Sequence, residues 1–351
     1  MPGLLYLPSA VGVKPGWVRV GLNTKGIRML SRRNVLIGAA AAGAAALARP
    51  VTTVLAVASQ PATLVNFDVP MGACDCHTHI FGDPHRFPYA ASRVYTPEHA
   101  SIDETRALHR ALHVQRIVIV HPSVYGTDNS CTLDATRQLA PKARAIAVID
   151  GHTPDSALDD MNRAGVRGIR INLETLGQVD PAVARQRFQA AVDRIKNRTN
   201  WHVEVYTRLS VIEAMADLVA VAPVPIVFDH FGGAKGALGM EQPGFDTLLR
   251  LVQAGKAYVK VSAAYRSSKK RPNYPDVAPL AKALIAANAR RILWGSDWPH
   301  PSQVPGRNPK YISPLLQIDD GNVFNQFAKW APDAAQRKTI LVENPAKLYD
   351  F

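Results

Sequence analysis

From Cys74 to Asp297 the chain alternates short apolar, β-branched runs with stretches whose apolar residues recur at helical spacing, and this alternation bears hardest on the fold. Eight runs read as strands: Cys74 to Ile80, Arg116 to His121, Arg144 to Asp150, Gly168 to Asn172, His202 to Tyr206, Ile226 to His230, Ala257 to Ser262, and Ile292 to Asp297. Between them Ile102 to Leu112, Val183 to Ile195, Val211 to Leu218 and Val277 to Ala287 carry the i, i+3, i+4 pattern of amphipathic helices. Buried strands joined through helices pair in parallel, because each crossover returns the chain to the same end of the sheet. Eight such units predict an α/β fold, a (β/α)8 TIM-like barrel, and residues 59–351 provide the roughly 250 residues that it needs. No internal repeat or low-complexity linker marks a second domain.

The segment before the barrel has a different composition. Ser31-Arg32-Arg33-Asn34-Val35-Leu36-Ile37, followed by an Ala-rich run from Gly38 to Ala48, has the order of a twin-arginine export signal, and Ala56-Val57-Ala58 offers a small-residue cleavage site. Residues 1–58 are therefore read as a signal region preceding a single domain at 59–351, with the bacterial periplasm as the expected location. Met29 stands where such a signal normally begins, which suggests that residues 1–28 are not translated. The apolar run is too short and too rich in Ala and Gly for a good span, so no stable membrane insertion is expected after processing.

Charge narrows the choice of partner. Of 41 Lys and Arg residues, the seven that precede residue 59 have no Asp or Glu among them, leaving 34 basic against 28 acidic residues in the remainder. That mild excess, without a basic run interleaved with aromatics, suits an anionic small molecule and not nucleic acid. Three cysteines make no disulfide framework. Strict strand alternation would turn Cys76 away from His77 and His79.

The strand ends carry the chemistry. His77 and His79 lie two residues apart on the first strand, and imidazoles converging there require a metal, a proton relay or a substrate to satisfy their ring nitrogens. Strand four adds Arg170 and Asn172, strand five His202, Glu204 and Tyr206, strand six Asp229-His230, strand seven leads to Tyr265-Arg266, and strand eight ends in Ser296-Asp297. In a barrel these gather at the C-terminal face, where such folds place their active sites, except His202, which lies too deep in its strand. A guanidinium forms a bidentate clamp for a carboxylate or sulfonate, so Arg170 and Arg266 at one mouth imply a di-anionic ligand.

His77, His79, His230 and Asp297 on these strands resemble the amidohydrolase superfamily. Phe81-Gly82-Asp83, Gly126-Thr127-Asp128-Asn129, Gly168-Ile169-Arg170, Pro225 to His230, Trp294-Gly295-Ser296-Asp297-Trp298-Pro299-His300-Pro301 and Asn344-Pro345 resemble its lactonase branch, from about Asp75 to Phe351. That branch includes hydrolases of 4-sulfomuconolactone and 2-pyrone-4,6-dicarboxylate and enzymes of sugar lactones. The resemblance implies a hydrolase that opens a small anionic lactone during breakdown of aromatic compounds. Asp297 would activate water, His77, His79 and His230 would polarise the carbonyl, and Arg170, Arg266 and Tyr206 would bind the substrate. One Zn2+ held by His77, His79, His230 and Asp297 is one implied arrangement, and a metal-free site is the other, because Tyr206 stands where many amidohydrolases place a further His or a modified Lys. Competing readings keep the barrel but change the chemistry to lactone isomerisation or metal-dependent decarboxylation. A periplasmic binding protein for aromatic acids would need the arginines but not Asp297.

Overall fold

The alternation closes on itself. The computed structural model describes residues 58–351 apart from 176, 178, 179, 305 and 306, so the twin-arginine-type segment and the first two residues of its cleavage motif lie outside the described residues. Eight parallel strands follow one another around the sheet in chain order: β1 Cys74–Thr78, β2 Arg116–Val120, β3 Ala143–Ala147, β4 Val166–Asn172, β5 His202–Tyr206, β6 Ile226–Phe228, β7 Ala257–Ser262 and β8 Ile292–Gly295. The ring is completed between β8 and β1, where the Asp297 N–H donates to the His77 carbonyl at 2.8 Å and the His79 N–H to the Trp298 carbonyl at 2.8 Å. The expected TIM barrel is therefore the observed one.

Of the helices α1 Ile102–Ala111, α2 Ser130–Leu139, α3 Asp155–Arg163, α4 Pro181–Ile195, α5 Leu209–Val221, α6 Phe245–Gln253, α7 Ala278–Asn288 and α8 Asp320–Trp330, the spacing named α1, α4, α5 and α7, and the structure adds the other four. α1 starts at a reciprocal capping box between Ser101 and Glu104, and α4 starts at Asp180 with Pro181 in the first turn, where a missing N–H costs nothing. Outward strand residues such as Ile119, Ala145, Ile169, Val203, Val259 and Trp294 pack under these helices in the main core. Inward residues Val118, Val120, Ile146, Val227, Tyr258 and Leu293 form a second apolar cluster inside the barrel, joined by Leu348 and Tyr349 near the C-terminus. Among the described residues no helix is long and apolar enough to cross a membrane.

Two departures from strict alternation shape the catalytic end. The pairing of β1 with β2 slips between Asp75 and Thr78, so Cys76 packs in the inner cluster while His77 also reaches the interior carboxylates. The expectation that Cys76 faces away from His77 thus fails at a bulge, which inserts one residue into the strand. β6 and β8 also stop two residues early, because His230 at φ 48° and Asp297 at φ 64° adopt left-handed backbone. Such conformations are uncommon for residues other than glycine and concentrate where side chains must be aimed.

Candidate active site

The seam that closes the barrel also builds the site. Buried Asp75 accepts from the His77 N–H at 3.1 Å and the Ser296 N–H at 2.9 Å through one oxygen, and its other oxygen lies 3.2 Å from His109 Nε2 on α1. Gly295 lets β8 run against His77, since a Cβ there would lie 2.7 Å from His77 Cβ. The first and last strands are thereby held at the spacing that brings Asp297 over His77 and His79.

One carboxylate oxygen is the focus. Asp297 Oδ1 lies 3.4 Å from His79 Nε2, 3.5 Å from His77 Nε2 and 3.7 Å from His230 Nε2. It has no hydrogen-bond partner, and neither has His77 Nε2, although both are fully buried. The other oxygen, Oδ2, accepts from Tyr265 Oη at 2.5 Å and Arg266 Nε at 2.6 Å. Burial alone would raise the Asp297 carboxyl, but Arg266 and the imidazoles outweigh it and hold the group well below the usual carboxylate range. Burial keeps His77 and His230 neutral, lowering His77 to about 3 and His230 well below its ordinary value.

The imidazoles are oriented from behind. His79 Nδ1 faces the Val120 carbonyl at 2.8 Å, and His230 Nδ1 faces Ser262 Oγ at 2.8 Å. Both therefore turn Nε2 inward, the arrangement in which protein scaffolds present histidine to a metal. His77, His79 and Asp297 form a group able to hold a metal ion, and His77, Asp229 and His230 form a second. Buried, unpartnered donor atoms at the centre of the first group make its fit to a cation chemically sound.

Above them is a cavity of about 230 Å³. His79, Arg170, Tyr206, His230, Arg266 and Asp297 all line it, so of the residues expected to act on or bind the substrate only His77 is outside the lining, lying beneath. Arg170 is nearly inaccessible, its side chain 4% exposed, and it donates to Asp229 Oδ2 at 3.0 Å. Arg266 is 25% exposed and also bonds the Pro301 carbonyl at 3.0 Å. Tyr206 lies between them, edge-on to His230 with centroids 5.0 Å apart and beneath the Arg170 guanidinium at 5.4 Å. Arg167 turns to the opposite end, pairing with Asp350 at 3.2 Å.

Under the cavity floor is a charged layer. Glu204 and Asp229, given no role from the sequence, Lys260, not singled out there at all, and Arg170 are buried within the barrel and pair with one another. Burial and the neighbouring Asp229 push the Glu204 carboxyl up to about 8, whereas Lys260 and Arg170 pull Asp229 down against the effect of burial. A lysine inside the run Ala257-Tyr258-Val259-Lys260-Val261-Ser262 was the available signal, since a strand core excludes a lone cation. Tyr265 gave no such signal, because a tyrosine after a strand packs at a rim as readily as it bonds a carboxylate.

The amidohydrolase family model matches residues 74–351. The 4-sulfomuconolactone hydrolase of Rhizobium radiobacter is 36% identical over 81% of this chain and 92% of its own, and the 2-pyrone-4,6-dicarboxylate hydrolase of Comamonas testosteroni is 32% identical over 81% and 92%. A crystal structure of an Agrobacterium tumefaciens protein without ligand superposes with a TM-score of 0.70 at 26% identity, covering 82% of this chain and 98% of that one.

Proposed function

The chain belongs to the amidohydrolase family, and from that membership and the site geometry we propose that it is a hydrolase opening a small anionic lactone of the muconolactone or pyrone carboxylate or sulfonate type. The observation that carries the proposal is the convergence of three imidazole Nε2 atoms on the unpartnered Oδ1 of Asp297, at the base of a cavity walled by Arg170, Tyr206 and Arg266.

Lactone hydrolysis requires an activated water, compensation for charge growing on the carbonyl oxygen, and protonation of the released ring oxygen. Arg266 and Tyr265 hold Oδ2 and keep Asp297 ionised, which leaves Oδ1 to take a proton from the attacking water. The water oxygen bonds the carbonyl carbon, the ring C–O bond breaks, and the proton held at Asp297 passes to the oxygen set free. An imidazole N–H aimed at the carbonyl oxygen offsets its charge. The guanidinium edges of Arg170 and Arg266 not engaged by carboxylates, together with the Tyr206 hydroxyl, grip the anionic substituents and fix the ring.

His77, His79, His230 and Asp297 would hold one zinc ion. Bound there, zinc would polarise the carbonyl and lower the pKa of a water. In this reading the twin-arginine-type signal carries the enzyme to the periplasm, and the named relatives favour a role in breaking down aromatic or sulfonated aromatic compounds.

The test is a spectrophotometric panel of muconolactones, pyrone carboxylates and sugar lactones, run with metal-analysed protein before and after chelation. Asp297→Asn is expected to abolish turnover while sparing ligand affinity; unchanged turnover overturns the proposal. Activity lost on chelation and restored by zinc supports the metal arrangement, and full activity in metal-free protein overturns it.

A further inference from the structure

Lys260 is fully buried in the middle of β7, inside the barrel, where an ammonium is tolerated only among acceptors. Its Nζ pairs with Glu204 Oε2, lies 3.3 Å from Asp229 Oδ1, and reaches His77 Nδ1 at 3.2 Å. An ammonium has donors only. Its bond to Nδ1 therefore requires a lone pair on that nitrogen and places the single proton of a neutral His77 on Nε2. Asp229 Oδ1 is also 3.2 Å from Nδ1, but it accepts no hydrogen bond.

His79 is fixed the other way. The Val120 carbonyl, 2.8 Å from its Nδ1, can only accept, so the proton sits on Nδ1 and the lone pair on Nε2.

We propose that Lys260 is a positioning residue that fixes the Nε2–H tautomer of His77, so that in the metal-free protein the two histidines of β1 are a donor and an acceptor and not two equivalent ligands. His77 then carries a hydrogen-bond donor at Nε2, 3.5 Å from Asp297 Oδ1 but not bonded to it, and is the imidazole prepared to stabilise a growing oxyanion. For His77 to ligate a metal through Nε2, its proton must move to Nδ1 and find Asp229 Oδ1, and Lys260 must give up its bond. Lys260 thereby opposes metal binding at this histidine. The oxyanion role rests on the hydrolase reading; the tautomer does not.

The test is nitrogen-15 NMR of histidine-labelled, metal-free protein at neutral pH, with His77→Gln and His79→Gln for assignment. The expected result is a proton on Nε2 of His77 and on Nδ1 of His79, with His77 changing to Nδ1–H in Lys260→Met. Zinc affinity, measured by competition with a chromogenic chelator and with His79→Ala as the control for this site, is expected to rise in Lys260→Met by the roughly 10–100-fold that outer partners of a metal ligand control. If Lys260→Met does not fold, Lys260→Met with Glu204→Gln removes the ammonium together with the carboxyl that it pairs with and carries the same expectations. An Nδ1–H His77 in the unsubstituted protein, or unchanged or weaker zinc binding in either folded variant, overturns the proposal. The expected tautomers in a protein that hydrolyses no lactone would overturn the proposed reaction and leave the role of Lys260 standing.

Discussion

Gly295→Ala tests whether the barrel seam places His77. A Cβ on Gly295 would lie 2.7 Å from His77 Cβ, 2.8 Å from its backbone nitrogen and 3.2 Å from its Cα, none of them the movable end of a side chain. Non-bonded carbons settle at roughly 3.5–4.0 Å, so β1 and β8 would have to part by about 0.8 Å. Across that gap run the bonds from the Asp297 N–H to His77 O and from the His79 N–H to Trp298 O, both 2.8 Å. Parting by that much stretches them beyond the roughly 3.2 Å range of a good N–H···O bond. Each contributes about 1 kcal/mol, and overpacking adds about 1–3 kcal/mol. The smaller conformational freedom of alanine in the unfolded chain returns about 0.4–1 kcal/mol. The net loss is about 2–5 kcal/mol, which at roughly 2.1 cal/mol/K per residue in a barrel of this size lowers Tm by about 3–8 °C. Because His77, His79 and Asp297 all move with the seam, kcat is expected to fall on the order of 100-fold. Calorimetry and lactone turnover on the same preparation read both effects. An unchanged Tm with unchanged turnover refutes the seam argument, and a lowered Tm with full turnover shows that other contacts position His77.

What could be read from the residues, and what could not, divides at the strand ends. β5 and β7 fall at the ends expected for them, since polar or turn-forming residues bracket each apolar run. β6 and β8 do not, because Asp229-His230 and Ser296-Asp297 continue the strand pattern in composition while the backbone turns left-handed at His230 and Asp297. The residue types were legible there; the φ angles that aim them depend on packing from distant segments. The bulge in β1 is a similar case, as no local pattern separates the strand Cys74-Asp75-Cys76-His77-Thr78 with two inward neighbours from one that alternates. Arg170 and Arg266 were visible as cations at a mouth, but not as partners of Asp229 and Asp297, because ion pairing across the barrel is a property of register between strands. Lys260 was legible in principle, being the one charge in an apolar run, and its meaning emerges only with Glu204, Asp229 and His77 around it.

Three further outcomes follow from the same contacts. Tyr265→Phe removes a short bond to Asp297 Oδ2 and is expected to raise the pKa of that carboxyl, moving the acid limb of the pH–rate profile upward and lowering kcat several-fold; an unmoved limb would show that Arg266 alone holds the charge. Arg170→Met leaves Asp229 and Glu204 short of a cation while removing a wall of the cavity, so KM for an anionic lactone is expected to rise by about tenfold or more, with Tm also lowered; an unchanged KM would place the substrate anion elsewhere. Glu204 links stability to pH. Its carboxyl is raised in the folded protein to about 8 by burial and by Asp229, above its unfolded value near 4.5. The folded state thus holds a proton that the unfolded chain has already released, and the corresponding stability, complete below about pH 4.5, is lost as pH rises through about 8. Glu204→Gln keeps the shape and removes the titration, so its Tm is expected to decline less than that of the parent between pH 5 and pH 8, measured by differential scanning calorimetry at constant ionic strength. Parallel declines in the two proteins would mean that Lys260 holds Glu204 ionised throughout, and that the layer under the active site is a fixed ion pair with no proton to lose.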